Sequence, residues 1–164
     1  RLLVGNNGLA GEVGHITVLP GGPMCGCGHP GHLESVSSGT GIANHVIRQM
    51  QAGRKTMMTD YPDAPNARRV AEAARQGDAL ALEAFEIAGE FLGRAIADLL
   101  HIFNPTIVIL GGGVIKSGEL IMSPVRRSLE QSVVSPQYLE DFQLTTAALG
   151  DRVGLVGALA LARG

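Results

Sequence analysis

The sequence predicts an α/β fold, and three observations carry that expectation. Thr106-Ile107-Val108-Ile109-Leu110 is a continuous apolar, β-branched run, the pattern of a central parallel strand covered on both faces. Gly111-Gly112-Gly113 follows at once and leads into a helical stretch from about Gly118 to Val133. A second strand over 142–149 and a closing helix over 153–163 complete a strand–turn–helix–strand–helix order.

The helices before the first strand are read from spacing and punctuation. Ala81, Phe85, Ala88, Leu92, Ile96, Leu99 and Phe103 recur at three and four residues, with Asp78 as N-cap and Asn104-Pro105 as the stop. At 1.5 Å per residue this helix spans nearly 40 Å, roughly the width of a domain. Asn66 caps a shorter helix that ends near Gly77. Residues 53–65 hold two prolines and many polar residues, and read as a surface connection. Leu33 to Ser37 begins a short helix, Ser38-Gly39-Thr40-Gly41 breaks it, and a second helix runs from Ile42 to Gln51. Residues 1–4 with Gly5-Asn6-Asn7-Gly8 suggest a hairpin, and Ile16 to Leu19 a short strand.

Composition excludes several classes. The 164 residues are 45% hydrophobic and 17% charged, as in a folded domain rather than a disordered chain. A net charge of −2 gives no overall basic balance for nucleic acid. No run approaches the roughly 18 apolar residues of a membrane span, and nothing resembles a secretory leader. The expectation is a soluble, cytoplasmic protein. The chain opens on Arg1 and reads as the middle of a longer protein.

The two cysteines, Cys25 and Cys27, have one residue between them. A mutual disulfide there closes a strained ring, so metal ligation is the better reading. His15 and His32 complete a set of two thiolates and two imidazoles, the donors that Zn²⁺ takes in closed tetrahedral sites. His29 competes for the fourth place, and buried thiols beside unrelated surface histidines are the plainer alternative. Glu12 stands three residues before His15 and Glu34 two after His32. A metal that gathers the two histidines also draws both carboxylates together, and a carboxylate pair suits adjacent sugar hydroxyls. His15 can serve metal and ligand at once through its second ring nitrogen. Gly111, Gly112 and Gly113, at the carboxyl end of a strand, form a candidate nucleotide turn, though such turns also serve packing. His45 and His101 lie in helical stretches and read as structural.

Glu12-Val13-Gly14-His15 and the later Cys25-Gly26-Cys27-Gly28-His29-Pro30-Gly31-His32-Leu33-Glu34 resemble the zinc signature of the ROK family. Asn104-Pro105 through Val114 is similar to its nucleotide segment, and Leu149 to Ala158 to its closing helix entry. The resemblance implies an actin-like, ribonuclease-H-like ATPase fold, of which 1–164 is the carboxy-terminal lobe with a structural zinc loop at 15–34. It implies a sugar contacted by Glu12, His15 and Glu34, and zinc on His15, Cys25, Cys27 and position 32. At position 32 the family's usual third cysteine is His32 here. It further implies ATP with Mg²⁺ at Gly111–Gly113, a homodimer or homotetramer, and hexose phosphorylation with glucose the first candidate. The family's phosphate loop and base aspartate belong to an amino-terminal lobe outside this sequence, so the chain alone is expected to be inactive. The rival is a ROK transcriptional repressor, with a helix-turn-helix module ahead of the same sugar-binding region.

Overall fold

A computed structural model describes residues 2–60 and 64–163. The helices are α1 (Leu33–Ser37), α2 (Gly39–Gln51), α3 (Ala67–Arg75), α4 (Ala79–Phe103), α5 (Glu119–Ser132) and α6 (Val153–Ala162). Strands β1 (Ile107–Leu110) and β2 (Gln143–Thr146) pair in parallel, from Ile107 opposite Gln143 to Leu110 opposite Thr146. β1, α5 and β2 therefore form a strand–helix–strand unit with Gly111–Gly113 at the carboxyl end of β1.

The long helix α4 organises the rest. Asp78 caps it, one carboxylate oxygen accepting from the Ala81 amide at 2.8 Å. The other oxygen accepts from the Thr56 hydroxyl and the Met57 amide, both at 2.8 Å, and so ties the preceding loop to the helix start. Burial works against this charge, but the amides of Ala81 and Met57 and the Thr56 hydroxyl outweigh it and hold Asp78 below its ordinary range. At the far end Asn104 enters the left-handed region at φ 45°, and its amide closes onto Leu100 O. On one side α4 packs against α5. A Cβ on Gly93 would lie 2.5 Å from Val125 O, and one on Gly89 2.5 Å from Pro124 Cγ, so only glycine permits this approach. Ser128 seals the seam by donating to Glu90 O at 2.6 Å. Phe85, Ile96, Leu100, Ile121 and Val125 are buried here, while Ile42, Val46, Met58 and Val70 join the same core from α2, α3 and the loop before α3.

Several expectations change. Ile16–Leu19 is not a strand: Thr17 makes one isolated bridge to His32, and the amides of Val18 and Leu19 both donate to Gly31 O. Among the described residues, 2–4 join no sheet and their one backbone closure is Ala10 N to Val4 O at 3.2 Å; Arg1 lies outside the described residues. α2 starts at Gly39, not Ile42, because Ser38 Oγ accepts from the Gly41 amide and caps it. β1 is packed on one face only, with Ile107 and Ile109 exposed at 43% and 59%. β2 stops at Thr146, and α6 matches its expected place but exposes Leu155 and Leu161. Of the 53–65 connection, Met58 is core rather than surface, and 61–63 lie outside the described residues.

Candidate functional site

The segment from His15 to Glu34 has no strand and no α-helix before Leu33, yet it is closely folded on itself. Gly31, at φ 74°, is pressed so near Leu19 that a Cβ would sit 1.8 Å from Leu19 O. The backbone then doubles back: Gly31 N reaches Pro23 O at 2.8 Å, and Cys25 N reaches His29 O at 2.9 Å. Gly28 N returns to Cys25 O at 3.0 Å, and Leu33 N to Ile16 O at 3.0 Å. These bonds bring the start and end of the segment together.

Four of the expected donors converge. One donor atom each from His15, Cys25, Cys27 and His32 all lie within 4.8 Å of one another. Cys25 Sγ lies 3.8 Å from His15 Nδ1, and Cys27 Sγ lies 3.2 Å from His32 Nδ1. A tetrahedral Zn²⁺ site places sulfur and nitrogen donors about 3.6 Å apart, given its ordinary bond lengths. The donor set and its spacing therefore fit a structural zinc ion. Cys25 and His32 are buried, whereas Cys27 is exposed. The His29 amide, then its imidazole, push the Cys27 thiol down to about 6, so this thiol is a ready thiolate at neutral pH. The Cys27 amide pulls Cys25 down, but burial and the Cys27 thiol together raise it above the ordinary thiol value. His29 stands outside the four, its Nδ1 3.8 Å from Cys27 Sγ.

The structure also brings together Glu12, His15 and Glu34. Glu12 Oε2 is 3.8 Å from His15 Nε2, and Glu34 Oε2 is 3.7 Å from His15 Nδ1. His15 thus lies between two solvent-facing carboxylates. Its Nδ1 faces the Cys25 thiol and Glu34, and its Nε2 remains for Glu12 or a bound hydroxyl.

Gly111–Gly113 lie elsewhere, in a groove of about 380 Å³ that also includes Lys116 and Thr146. Gly112 has φ 94° and open space where a side chain would stand, leaving backbone accessible. Gly113 and Lys116 also line a larger cavity of about 860 Å³, whose other walls include Arg68, Glu72 and Arg75 of α3 and Thr40 of α2. Thr40 in turn lines a cavity of about 300 Å³ that contains Glu34 and Cys25. The three concavities are neighbours: the first two share Gly113 and Lys116 in their walls, and the last two share Thr40. Sequence reading passed over Thr40, Arg68 and Arg75. The Ser-Gly-Thr-Gly stretch was the one available signal for Thr40; the arginines carry none, being ordinary helix-surface residues.

His45 and His101 have structural roles. His45 pairs with Glu83 at 3.0 Å, beside Arg54 at 2.7 Å, and Arg54 followed by His45 holds Glu83 below the ordinary carboxylate range. His101 accepts from the Val134 amide at 3.1 Å. No helix among the described residues is long and apolar enough to cross a membrane.

The chain is similar to known proteins over nearly its whole length. The chain is 34% identical over 163 residues to a glucokinase of Thermotoga maritima, covering 98% of this chain and 51% of the relative. It superposes on a ROK family glucokinase of Streptomyces griseus, solved in complex with glucose and AMPPNP. There the TM-score is 0.84 at 35% identity, covering 99% of this chain and 54% of the other. It is also 29% identical over 166 residues to the DNA-binding transcriptional dual regulator NagC of Escherichia coli, covering 99% of this chain and 39% of the regulator. The chain spans about half the length of the glucokinase relatives it matches. The ROK family model matches residues 1–164, and the chain belongs to the ROK family.

Proposed function

We propose that this chain is the sugar-binding and part of the nucleotide-binding region of an ATP-dependent hexose kinase, with glucose as the first substrate to test. In this reading Glu12 and Glu34 accept hydrogen bonds from neighbouring hydroxyls of one hexose, and His15 donates from Nε2 between them. His15, Cys25, Cys27 and His32 hold structural zinc. When bound, the ion locks these four donors with no open coordination position, so it orients rather than reacts. Gly111–Gly113 let the nucleotide approach the backbone at the carboxyl end of β1, and Lys116 offers positive charge beside its phosphates. ATP enters with Mg²⁺, and the base that takes the hydroxyl proton comes from a lobe outside these 164 residues.

The single observation that carries this reading is the series of concavities. The glycine turn opens to a cavity large enough for a nucleotide, and that cavity shares Thr40 with the one holding Glu34. A kinase needs its two substrates side by side, and neighbouring cavities with a shared wall residue support that arrangement. The Streptomyces griseus relative was solved in complex with glucose and AMPPNP, which supports this choice of substrates.

A second reading, a sugar-responsive repressor, is favoured by the likeness to NagC over 99% of this chain. A coupled assay of ADP release with glucose and ATP, run on the protein with its full natural length, separates them. The kinase reading predicts glucose-dependent turnover that Glu34→Gln abolishes. Sugar binding without turnover, together with binding to duplex DNA, would establish the repressor instead.

A further inference from the structure

The cysteine loop carries one donor more than a tetrahedral ion needs. Three imidazoles and two thiols stand where four places exist, and the fifth donor, His29, is arranged in a particular way. Its ring is stacked on that of His32, with centroids 5.6 Å apart and planes 15° from parallel. Both rings present Nδ1 to the same sulfur: Cys27 Sγ lies 3.2 Å from His32 and 3.8 Å from His29. Those separations bracket the roughly 3.6 Å edge of a sulfur–nitrogen pair on tetrahedral zinc. Either imidazole can therefore share an ion with Cys27 without moving the sulfur.

Burial distinguishes the two. His32 is 9% exposed and Cys25 4%, so the inner half of the site is closed to solvent. Cys27 and His29 are both exposed and form one outer edge, with the exposed His15 on the other side of the buried pair. The backbone beneath them is fixed by the Cys25–His29 and Gly31–Pro23 bonds, so this edge is in place whichever imidazole holds the ion.

We infer that His29 is the exchange ligand of this site: Cys27 and His29 take up zinc at the surface, and His32 then displaces His29 to close the tetrahedron. The inference rests on the zinc reading above and goes beyond it, since it assigns a route rather than a resident ligand. The steps balance simply. Two waters leave the hydrated ion as Cys27 Sγ and His29 Nδ1 bind. The other waters leave as Cys25 and His15 bind, and one zinc–nitrogen bond breaks at His29 as one forms at His32. Each imidazole ligates as the neutral base, and any proton still on a thiol goes to solvent. Release runs in reverse, with His29 drawing the ion outward.

The test is stopped-flow zinc exchange against a chromophoric chelator, with Co²⁺ absorption as a second readout of coordination. It is run on the wild-type protein, His29→Ala and His32→Ala. Because His29 is exposed, its substitution leaves folding intact. The expected result is that His29→Ala keeps one zinc per chain and an equilibrium affinity within about threefold, while uptake and release slow about tenfold or more. His32→Ala should still bind one ion, with a tetrahedral Co²⁺ spectrum and faster release, because His29 then serves as fourth ligand. Wild-type exchange rates in His29→Ala would overturn the inference. So would a greater loss of equilibrium affinity in His29→Ala than in His32→Ala, which would make His29 the resident ligand. If the wild-type protein takes up no stoichiometric zinc, the metal reading itself fails, and the exchange route with it.

Discussion

The α4–α5 seam and the cysteine loop hold their shape by opposite means. Along the seam, glycines at 89 and 93 let two helices close to backbone contact, and apolar side chains exclude water around them. Between His15 and His32 there is almost no apolar core; Cys25 is the one buried side chain before that histidine, and short backbone bonds set the path. The seam is specified by volume and the loop by donor chemistry. The first has no room for an added methyl group at either glycine, whereas the second gathers donor atoms around one point. The proposed sugar site sits on the second kind of structure, where Glu12, His15 and Glu34 meet.

Four interventions separate the two regions, beginning with the largest. Stripping metal with a chelator at neutral pH should weaken protection across 15–34, sparing the backbone turn between Cys25 and His29, while α4 and α5 remain protected. Structural zinc in small sites contributes about 10–16 kcal/mol of apparent binding energy, so this local loss of protection should be the largest of the four effects. Hydrogen exchange mapped along the chain checks this, and uniform loss of protection would erase the distinction. Next, Gly93→Leu should cost about 3 kcal/mol in urea unfolding, because its new Cβ meets the rigid Val125 carbonyl. Zinc stoichiometry should stay at one per chain in the fraction that folds.

Asp78→Ala should cost about 2 kcal/mol, combining loss of the cap with loss of the Thr56 and Met57 bonds. Asp78 is depressed in the folded state, so its contribution is fully present above the ordinary carboxylate value of about 3.9. That contribution is lost as pH falls through the depressed folded value. The gap between wild type and Asp78→Asn should therefore close in acid, and a gap independent of pH would contradict the assignment. The smallest effect concerns Thr40, which links the cysteine-loop cavity to the glycine turn. In the proposed kinase, Thr40→Val should lower kcat about tenfold by removing a hydroxyl from the wall common to both cavities, with Thr40→Ser restoring it and KM for glucose unchanged.

Much of this was legible in the sequence because the relevant signals are local. Asp78 and Asn104-Pro105 bound α4 at both ends, since capping and the left-handed turn depend on the residues themselves. The donors His15, Cys25, Cys27 and His32 could be chosen by type, and the folded loop brings that set together. What sequence could not supply was pairing. Ile16–Leu19 has strand composition, but its amides turn to a single carbonyl at Gly31 instead of a neighbouring strand. Ile107 and Ile109 look like core residues, yet one face of β1 stays open among the described residues. The cavity linking Thr40 to Glu34 is likewise a product of how α1 and α2 pack. Gly41 sits so close to Ser35 that a Cβ would lie 2.7 Å from its carbonyl oxygen. No spacing rule along the chain announces that approach.

The central claim is that metal-held donors bring two carboxylates to one hexose, and calorimetric titration of glucose tests it most directly. The zinc-loaded protein should bind glucose, and the metal-stripped protein should not until zinc is restored. Equal glucose affinity with and without the metal would contradict the account.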